Sequence, residues 1–398
     1  MVIFVIGAGA SGYFSAIHNK EKHPNSDVIL VEKSVTGLAK VKVSGGGRCN
    51  VTHACFDEKE LVKHYPRGEK ALLGPFYSFQ PRDTVQWFES RGVALKTEAD
   101  GRMFPVSDSS QSIIDCLQRT AKQLGVKLWT KASVTNIKKT SAGFELSFSN
   151  GDTHHAEKLI LATGSSKVGY DWAKQLGHRI SAPVPSLFTL SVADKRLHDL
   201  SGLSVKRAKV WLTKKRVQEG PLLITHWGFS GPAIIKLSAW HARDLFDLQY
   251  QSPVYIQFLA DYSLDDILRL LKRLKETQAK KSLAKAAPFK ELPNRLWCYL
   301  LAKAGLNETK SCSELGPKQL NRLAETLHIS RFEMNGKSTF KEEFVTCGGV
   351  CLDEINFKTM ESKVCPGLHI VGELLDIDGV TGGFNFQNAW TTAYLSAQ

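Results

Sequence analysis

The chain has 398 residues, 42% apolar and 23% charged, with a formal net charge of +13, which suits a soluble globular protein of two or three domains and excludes fibrous and disordered classes. No run approaches the ~20 apolar residues that span a bilayer, and the opening MVIFVIGAGASG lacks the basic segment of a secretory signal. Eight scattered cysteines without a CxxC pair argue against disulfide or zinc frameworks, so free thiols, no metal, no membrane and a cytoplasmic, reducing location are expected.

Residues 2–6, VIFVI, form a continuous apolar run, as in a parallel strand buried on both faces. Gly7-Ala8-Gly9-Ala10-Ser11-Gly12 follows and opens a helix carrying Phe14 and Ile17. Residues 28–31, VILV, form a second strand that ends at Glu32, 20 residues after Gly12. This is a complete β-α-β unit with a dinucleotide fingerprint. Gly7 permits the tight turn, Gly9 lets a pyrophosphate approach the backbone, and Gly12 lets helix and strand touch. The N–H groups of Ala10 and Ser11, with the positive end of the helix dipole, face the phosphates. Glu32 would accept hydrogen bonds from the adenosine ribose, with Lys33 beside it, which favours a ligand without a 2′-phosphate.

Residues 40–52, KVKVSGGGRCNVT, read as a glycine-rich loop. Gly46 and Gly47 allow close approach to a flat ligand, Arg48 can pair with phosphate or a ring oxygen, and Asn50 can donate and accept at ring edges. Cys49 is the one thiol in that loop and a candidate acid, able to protonate a substrate carbon. Residues 82–91 and 109–124 look helical. Strands are expected at Val134–Ile137 and Phe144–Phe148 around a turn at 141–143, with Val134 a candidate cofactor contact. Lys158–Leu161 is a buried strand running into Ala162-Thr163-Gly164, a second contact with the same ligand.

After Pro183 and Pro185 the texture changes. Residues 187–193, 205–213 and 253–259 are strand-like without crossover helices, and 264–281 and 317–328 have helical periodicity, with Leu264, Ile267, Leu268, Leu271 and Leu274 on one stripe. Between Leu187 and Phe340 stand 25 Lys and Arg against 14 Asp and Glu, a surplus of 11; the rest of the chain holds 27 against 25. This asymmetry suggests a surface for a polyanion. Within Lys206–Arg216, KRAKVWLTKKR, an ideal strand puts Arg207, Lys209, Trp211 and Lys215 on one face, suited to phosphate contact and base stacking; a plain solvated face is equally open. His226 lies beside Trp227 and is a candidate substrate-side acid.

From about 341 the first texture returns. Leu368–Val371 is a buried strand followed by Gly372-Glu373, and a glycine-rich turn, Gly379–Gly383, leads into a helix near Phe386. Glu373 or Asp376 would bind ribityl hydroxyls. Gly383, Phe384 and Asn385 would meet the flavin, with Asn385 at its pyrimidine edge and the helix dipole on reduced isoalloxazine. The second contact at 162–164, the return of the chain and the lack of a second GxGxxG favour FAD over a nicotinamide as the bound dinucleotide. The expected fold class is α/β: a Rossmann-like FAD-binding domain with a parallel sheet, discontinuous in sequence (1–187 and 341–398), interrupted by a basic β-rich and helical domain at 188–340.

Three motifs together, SGGGRCN at 44–50, THWGFSGP at 225–232 and GGFNFQNAW at 382–390, make the chain resemble the bacterial NAD(P)/FAD-dependent oxidoreductases, also labelled the aminoacetone oxidase family. The resemblance covers essentially the whole chain. It implies the two-part FAD domain with an insertion, and its members include a ribosomal-RNA dihydrouridine synthase and a bile-acid enone reductase. The expected activity is reduction of an activated C=C bond, with NAD(P)H as transient electron donor visiting the same cleft. A uridine in structured RNA is the favoured substrate. A small hydrophobic enone or amine is the alternative, and a flavin redox sensor without turnover is a third class.

Overall fold

The computed structural model describes residues 1–337 and 345–398. Its backbone divides into two compact units, Met1–Val184 with Val345–Gln398, and Pro185–Phe344. The expected boundary between 340 and 341 lies outside the described residues.

The first unit is α/β. Its seven-stranded sheet has the order Ile355–Asn356, Glu361–Ser362, Leu368–Ile370, Lys158–Leu161, Val2–Ile6, Asp27–Val31, Lys127–Trp129. The five strands from Leu368–Ile370 onward are parallel, and the two short ones add antiparallel at one edge. A parallel sheet is covered on both faces, so its strands must be apolar throughout; Ile3, Val5, Leu159, Ile160 and Leu161 are all fully buried. Lys158 and His369 are the buried polar residues on the parallel strands, and the Lys158 Nζ donates to the Ser396 carbonyl at 2.6 Å. The expected hairpin appears as Val134–Thr140 and Gly143–Phe148, extended by Thr153–Ala156.

The first helix, Ala10–Lys22, packs on the last, Phe384–Leu395. Phe14 lies 5.1 Å from Trp390 and 4.7 Å from Trp87, ring centre to ring centre. Trp390 is fully buried; withdrawing about 200 Å² of an aromatic from water is worth about 5 kcal/mol before its ordering cost. The last helix is also stitched by polar bonds to segments far away in sequence. Gln387 Oε1 accepts from Thr52 Oγ1 (2.6 Å) and Thr84 Oγ1 (2.9 Å), Trp390 Nε1 donates to the Val51 carbonyl (3.0 Å), and Thr391 Oγ1 to the Phe79 carbonyl (2.9 Å).

The second unit is a closed antiparallel barrel of six strands: Leu190–Val192, Gly228–Ser230, Gln218–Thr225, Ser204–Trp211, Gln251–Gln257 and Ser330–Lys337, the last pairing back to the first. Closure leaves no open edge. Ser330–Lys337 shows the alternation that makes it work: Ser330, Phe332 and Met334 point in, Arg331 and Glu333 out. The predicted helix at 264–281 is shorter, Leu264–Thr277, opened by a capping box between Ser263 and Asp266 and burying Ile267, Leu271 and Leu274. Pro317–His328 matches its prediction. Gln218–Thr225, Gly228–Ser230 and Ser330–Lys337, and the helices Pro232–Trp240 and Asn294–Lys303, go beyond the elements expected from the sequence.

Candidate cofactor site

The parallel register Ile6–Leu161–Ile370 brings three strand ends together, each followed by a glycine-bearing turn: Gly7, Ala162-Thr163-Gly164 and Gly372. Ligands of open α/β sheets bind at this carboxyl end. Gly7, at φ +105°, is where a side chain cannot go: a Cβ there would stand 2.6 Å from the Ala162 carbonyl oxygen. At Gly12 a Cβ would lie 1.8 Å from the Gly7 carbonyl oxygen, so only glycine lets the helix begin so close to the strand. Gly9 differs. No atom lies within 4 Å of its would-be Cβ, so the backbone faces open space just where the helix exposes its first N–H groups. Thr163 Oγ1, in the second of these turns, is buried with no hydrogen-bond partner among the described residues and packs against Gly169, where a Cβ would stand 1.9 Å from it. An open glycine cradle at a helix start fits the pyrophosphate arm of a dinucleotide.

Glu32 stands at the end of the second strand. Its carboxylate accepts from the Ala8 N–H (3.1 Å) and from the Ser34 N–H (2.9 Å) and hydroxyl (2.7 Å), which fixes it at the strand end. Next to it, residues 129–133 and Phe148, Asn150 and His154 line a cavity of about 540 Å³, one residue short of Val134. Lys33 is exposed. On the far side, Glu373 is held by Lys40 Nζ (2.7 Å) and the Thr346 N–H (3.2 Å), and the Asp376 N–H donates to Val350. Lys40 is an addition to the expected residues; its position inside the glycine loop is the only hint.

The loop at 40–52 begins as a helix, Ala39–Gly47, that breaks at Ser44; Gly45, Gly46, Gly47 and Cys49 then take φ between +56° and +82°. Several expectations for its side chains are corrected here. Arg48 is not free for phosphate: its Nη1 pairs with Glu98 (2.7 Å) and Asp108 (3.4 Å), and its guanidinium lies 4.0 Å over the Phe104 ring. Cys49 is fully buried, and burial pushes its thiol up to about 12. At neutral pH the thiol therefore stays protonated, buried within the loop. Asn50, with its amide turned to satisfy its neighbours, donates to the Met103 (3.2 Å) and Thr52 (3.0 Å) carbonyls and accepts from the Gly383 N–H (3.0 Å). It braces the two glycine motifs together, with both of its N–H donors engaged.

The C-terminal motif is corrected in the same way. Asn385 closes a clamp on Gly379, accepting from its N–H and donating to its carbonyl, both at 2.9 Å. The ring of Phe384 is buried in a stack with His64 (4.2 Å) and His53 (4.7 Å). A Cβ at Gly383 would sit 2.5 Å from the Thr52 carbonyl oxygen, so glycine lets the helix start against this strand. Backbone is also open to a ligand: glycines 46 and 47, each with open space above, and the first turn of the last helix. An ion pair absent from the expectations, Arg67 with the fully buried Asp378, pins the turn before Gly379. No local pattern links residues 67 and 378.

His226 is exposed in the barrel turn between Thr225 and Gly228, so the two candidate acids fall in different units. The basic face expected on Lys206–Arg216 is also corrected. A bulge between Val205 and Ala208 breaks the alternation, leaving Lys206 and Arg207 both exposed. Arg207 is neutralised by Glu219 and by Asp261 (2.6 Å). Lys209 donates to the Ala260 carbonyl at 2.8 Å. Trp211 is 6% exposed and stacks on Tyr255, which removes it as a platform for bases. Lys215 alone remains as expected, exposed and beyond the strand end. No helix among the described residues is long and apolar enough to cross a membrane.

A family model described as the HI0933-like protein Rossmann domain matches residues 1–398. The chain is 30% identical to a ribosomal RNA dihydrouridine synthase of Escherichia coli, over 99% of this chain and 96% of that one. It is 27% identical to a 3-dehydro-bile acid delta(4,6)-reductase of Clostridium scindens, over 100% and 98%. Among solved structures, 3-ketosteroid-delta4-(5alpha)-dehydrogenase from Rhodococcus jostii RHA1 aligns with a TM-score of 0.51 at 12% identity, over 100% of this chain and 96% of that one, a likeness of fold. With the glycine cradle at the strand ends and a match that runs the full length, the chain belongs to the HI0933-like FAD-binding Rossmann family of oxidoreductases.

Proposed function

We propose that the protein is an NAD(P)H-fuelled, FAD-dependent reductase of an activated C=C bond, and that its substrate is a uridine in ribosomal or other structured RNA. The observation that carries the substrate is the 30% identity, over 99% of the chain, to a protein named for dihydrouridine synthesis in ribosomal RNA. The surplus of 11 positive charges between Leu187 and Phe340 supports a polyanionic partner. FAD, when bound, supplies a two-electron carrier for hydride transfer. The chain's own residues do the rest. The Gly9 backbone and the first turn of Ala10–Lys22 hold the pyrophosphate, Glu32 the adenosine ribose, and Glu373 the polyol side. The start of Phe384–Leu395 offers unpaired N–H groups to negative charge on the ring. The candidate donors of the proton for the reduced carbon are Cys49, buried and still protonated at neutral pH, and His226, exposed in the barrel. A base in a duplex would have to leave its stack to react.

The test is to map dihydrouridine in total RNA from cells lacking the protein, alongside unmodified ribosomal RNA treated with holoenzyme and NADH or NADPH. A missing dihydrouridine that the purified protein restores supports the proposal. An unchanged RNA map, with flavin reoxidised by a 3-keto-4-ene steroid instead, moves the assignment to the small enone, the second reading favoured by the 27% identity to the bile-acid reductase. Flavin that no acceptor reoxidises leaves the sensor.

A further inference from the structure

The barrel unit contains a cavity of about 370 Å³ that none of the preceding roles uses. Its size falls within the range of small-ligand sites, about 300–1,000 Å³. Its charged lining comes from three segments: Asp194, Lys195 and Arg196 after the first barrel strand, Lys303 at the end of Asn294–Lys303, and Arg331 and Glu333 on the last barrel strand.

The two carboxylates are already engaged. Glu333 pairs with Arg331 at 2.8 Å. Asp194 caps the turn that follows it, accepting from the N–H groups of Arg196 (3.1 Å) and Leu197 (3.4 Å), and accepts the Tyr299 hydroxyl at 2.7 Å. Lys195, Arg196 and Lys303 form no ion pair among the described residues. Lys303 is half-buried, with its ammonium 4.2 Å over the Phe332 ring. Burial holds its pKa below the lysine range, and the charge of Arg196 adds to that, against Asp194 and Glu333. A desolvated ammonium beside two more cations gains most from a multiply charged oxyanion, which offers several acceptors to donors arriving from different directions.

We propose that this cavity is a phosphate-binding subsite, recognising either the phosphodiester of a polynucleotide or the phosphate of a free small molecule. The polynucleotide source rests on the RNA reading above; the phosphate chemistry does not. In that reading it supplies a backbone contact in place of Arg207, Lys209 and Trp211, which are engaged by their own neighbours.

The test uses FAD-loaded full-length protein and two probes, inorganic pyrophosphate by calorimetry and a single-stranded RNA of a dozen nucleotides by anisotropy across a salt series. Arg196→Gln removes an exposed charge at little risk to folding. Lys303→Met removes the charge and keeps the stem over Phe332, and Lys303→Arg retains the charge. Flavin content and melting temperature check each variant. Pyrophosphate should bind wild-type protein about tenfold or more tighter than Arg196→Gln or Lys303→Met, the loss expected for one charge-assisted hydrogen bond, with Lys303→Arg near wild type. For a polynucleotide, the slope of log K on log salt should flatten by about 0.7 for each phosphate no longer neutralised. Weakened pyrophosphate with an unaltered RNA slope, or with no RNA binding at all, keeps the subsite, assigns it to a small phosphorylated molecule and counts against the RNA reading alone. A flattened slope without pyrophosphate binding keeps it as a polynucleotide site. Wild-type protein that ignores pyrophosphate, with an RNA slope that no variant changes, overturns the proposal.

Discussion

Gly9 and Gly12 stand three residues apart in one turn, yet their substitution should fail in opposite ways. At Gly9 the backbone is extended, φ −84° and ψ −166°, and nothing lies within 4 Å of an added Cβ. Gly9→Val therefore meets no clash in the cofactor-free fold, and the poorer N-cap is offset by about 0.4–1 kcal/mol from stiffening the unfolded chain. The branch fills the space that faces the pyrophosphate, so cofactor stabilisation disappears; for a ligand at a thousand times its Kd that is about 4 kcal/mol, or on the order of 10 °C in Tm. At Gly12 the Cβ would stand 1.8 Å from the Gly7 carbonyl oxygen. Gly12→Ala must push the first helix off its strand, at about 1–3 kcal/mol or more, with or without FAD. The assay compares melting of stripped and FAD-reconstituted wild type, Gly9→Val and Gly12→Ala, with flavin absorbance per chain. Gly9→Val should lose the gap between the two forms and keep the stripped Tm; Gly12→Ala should lower the stripped Tm. Gly9→Val protein that retains stoichiometric FAD and the wild-type gap refutes the cradle.

Two further outcomes are expected. Iodoacetamide at pH 8 should label the half-buried Cys55, Cys298 and Cys351 of native protein before Cys49, as mapped by mass spectrometry; and since a general acid contributes about 10²–10⁴ in rate, a loss of that size in Cys49→Ala would assign the proton to the thiol. Burial holds Lys158 down to about 8, against about 10.4 in the unfolded chain, so between those values the unfolded state binds the proton the folded state has released and stability rises with pH. In denaturant titrations from pH 7 to 10.5 wild type should gain up to about 3 kcal/mol relative to Lys158→Met; parallel curves would show that the lysine is ordinarily solvated.

The parallel sheet is legible in the sequence because its signals are local: an unbroken apolar run, a glycine turn and an acid at the next strand end each fit within the β-α-β unit. The barrel is half legible. Leu264–Thr277 announces itself by period, whereas Gln218–Thr225 contains Gly220 and Pro221 and hides its alternation. The basic face fails for a physical reason. A bulge shifts which side chains share a face, and the acids that neutralise Arg207 come from residues 219 and 261. Asn50 and Asn385 look like ligand contacts because amides pair well with ring edges; the backbone of Gly383 and Gly379 claims them first. Side chains in glycine-rich loops can turn to a ligand or to the loop itself, and sequence shows only the residue type, never which partner is nearer.

The interleaving of the two units also sets an order of assembly during synthesis. The strand Leu368–Ile370 and the helix Phe384–Leu395 belong to the first sheet but leave the ribosome after the entire barrel. At about 5–20 residues per second, the sheet begun at Val2 waits roughly 10–40 s between the emergence of Val184 and that of its missing strand. Through that interval Lys158–Leu161 has an open edge, and the aromatic cluster around Phe14 and Trp87 lacks Trp390. The barrel closes on its own strands and can finish first, while the nascent first unit keeps that edge and that cluster open until the chain's last strand and helix arrive.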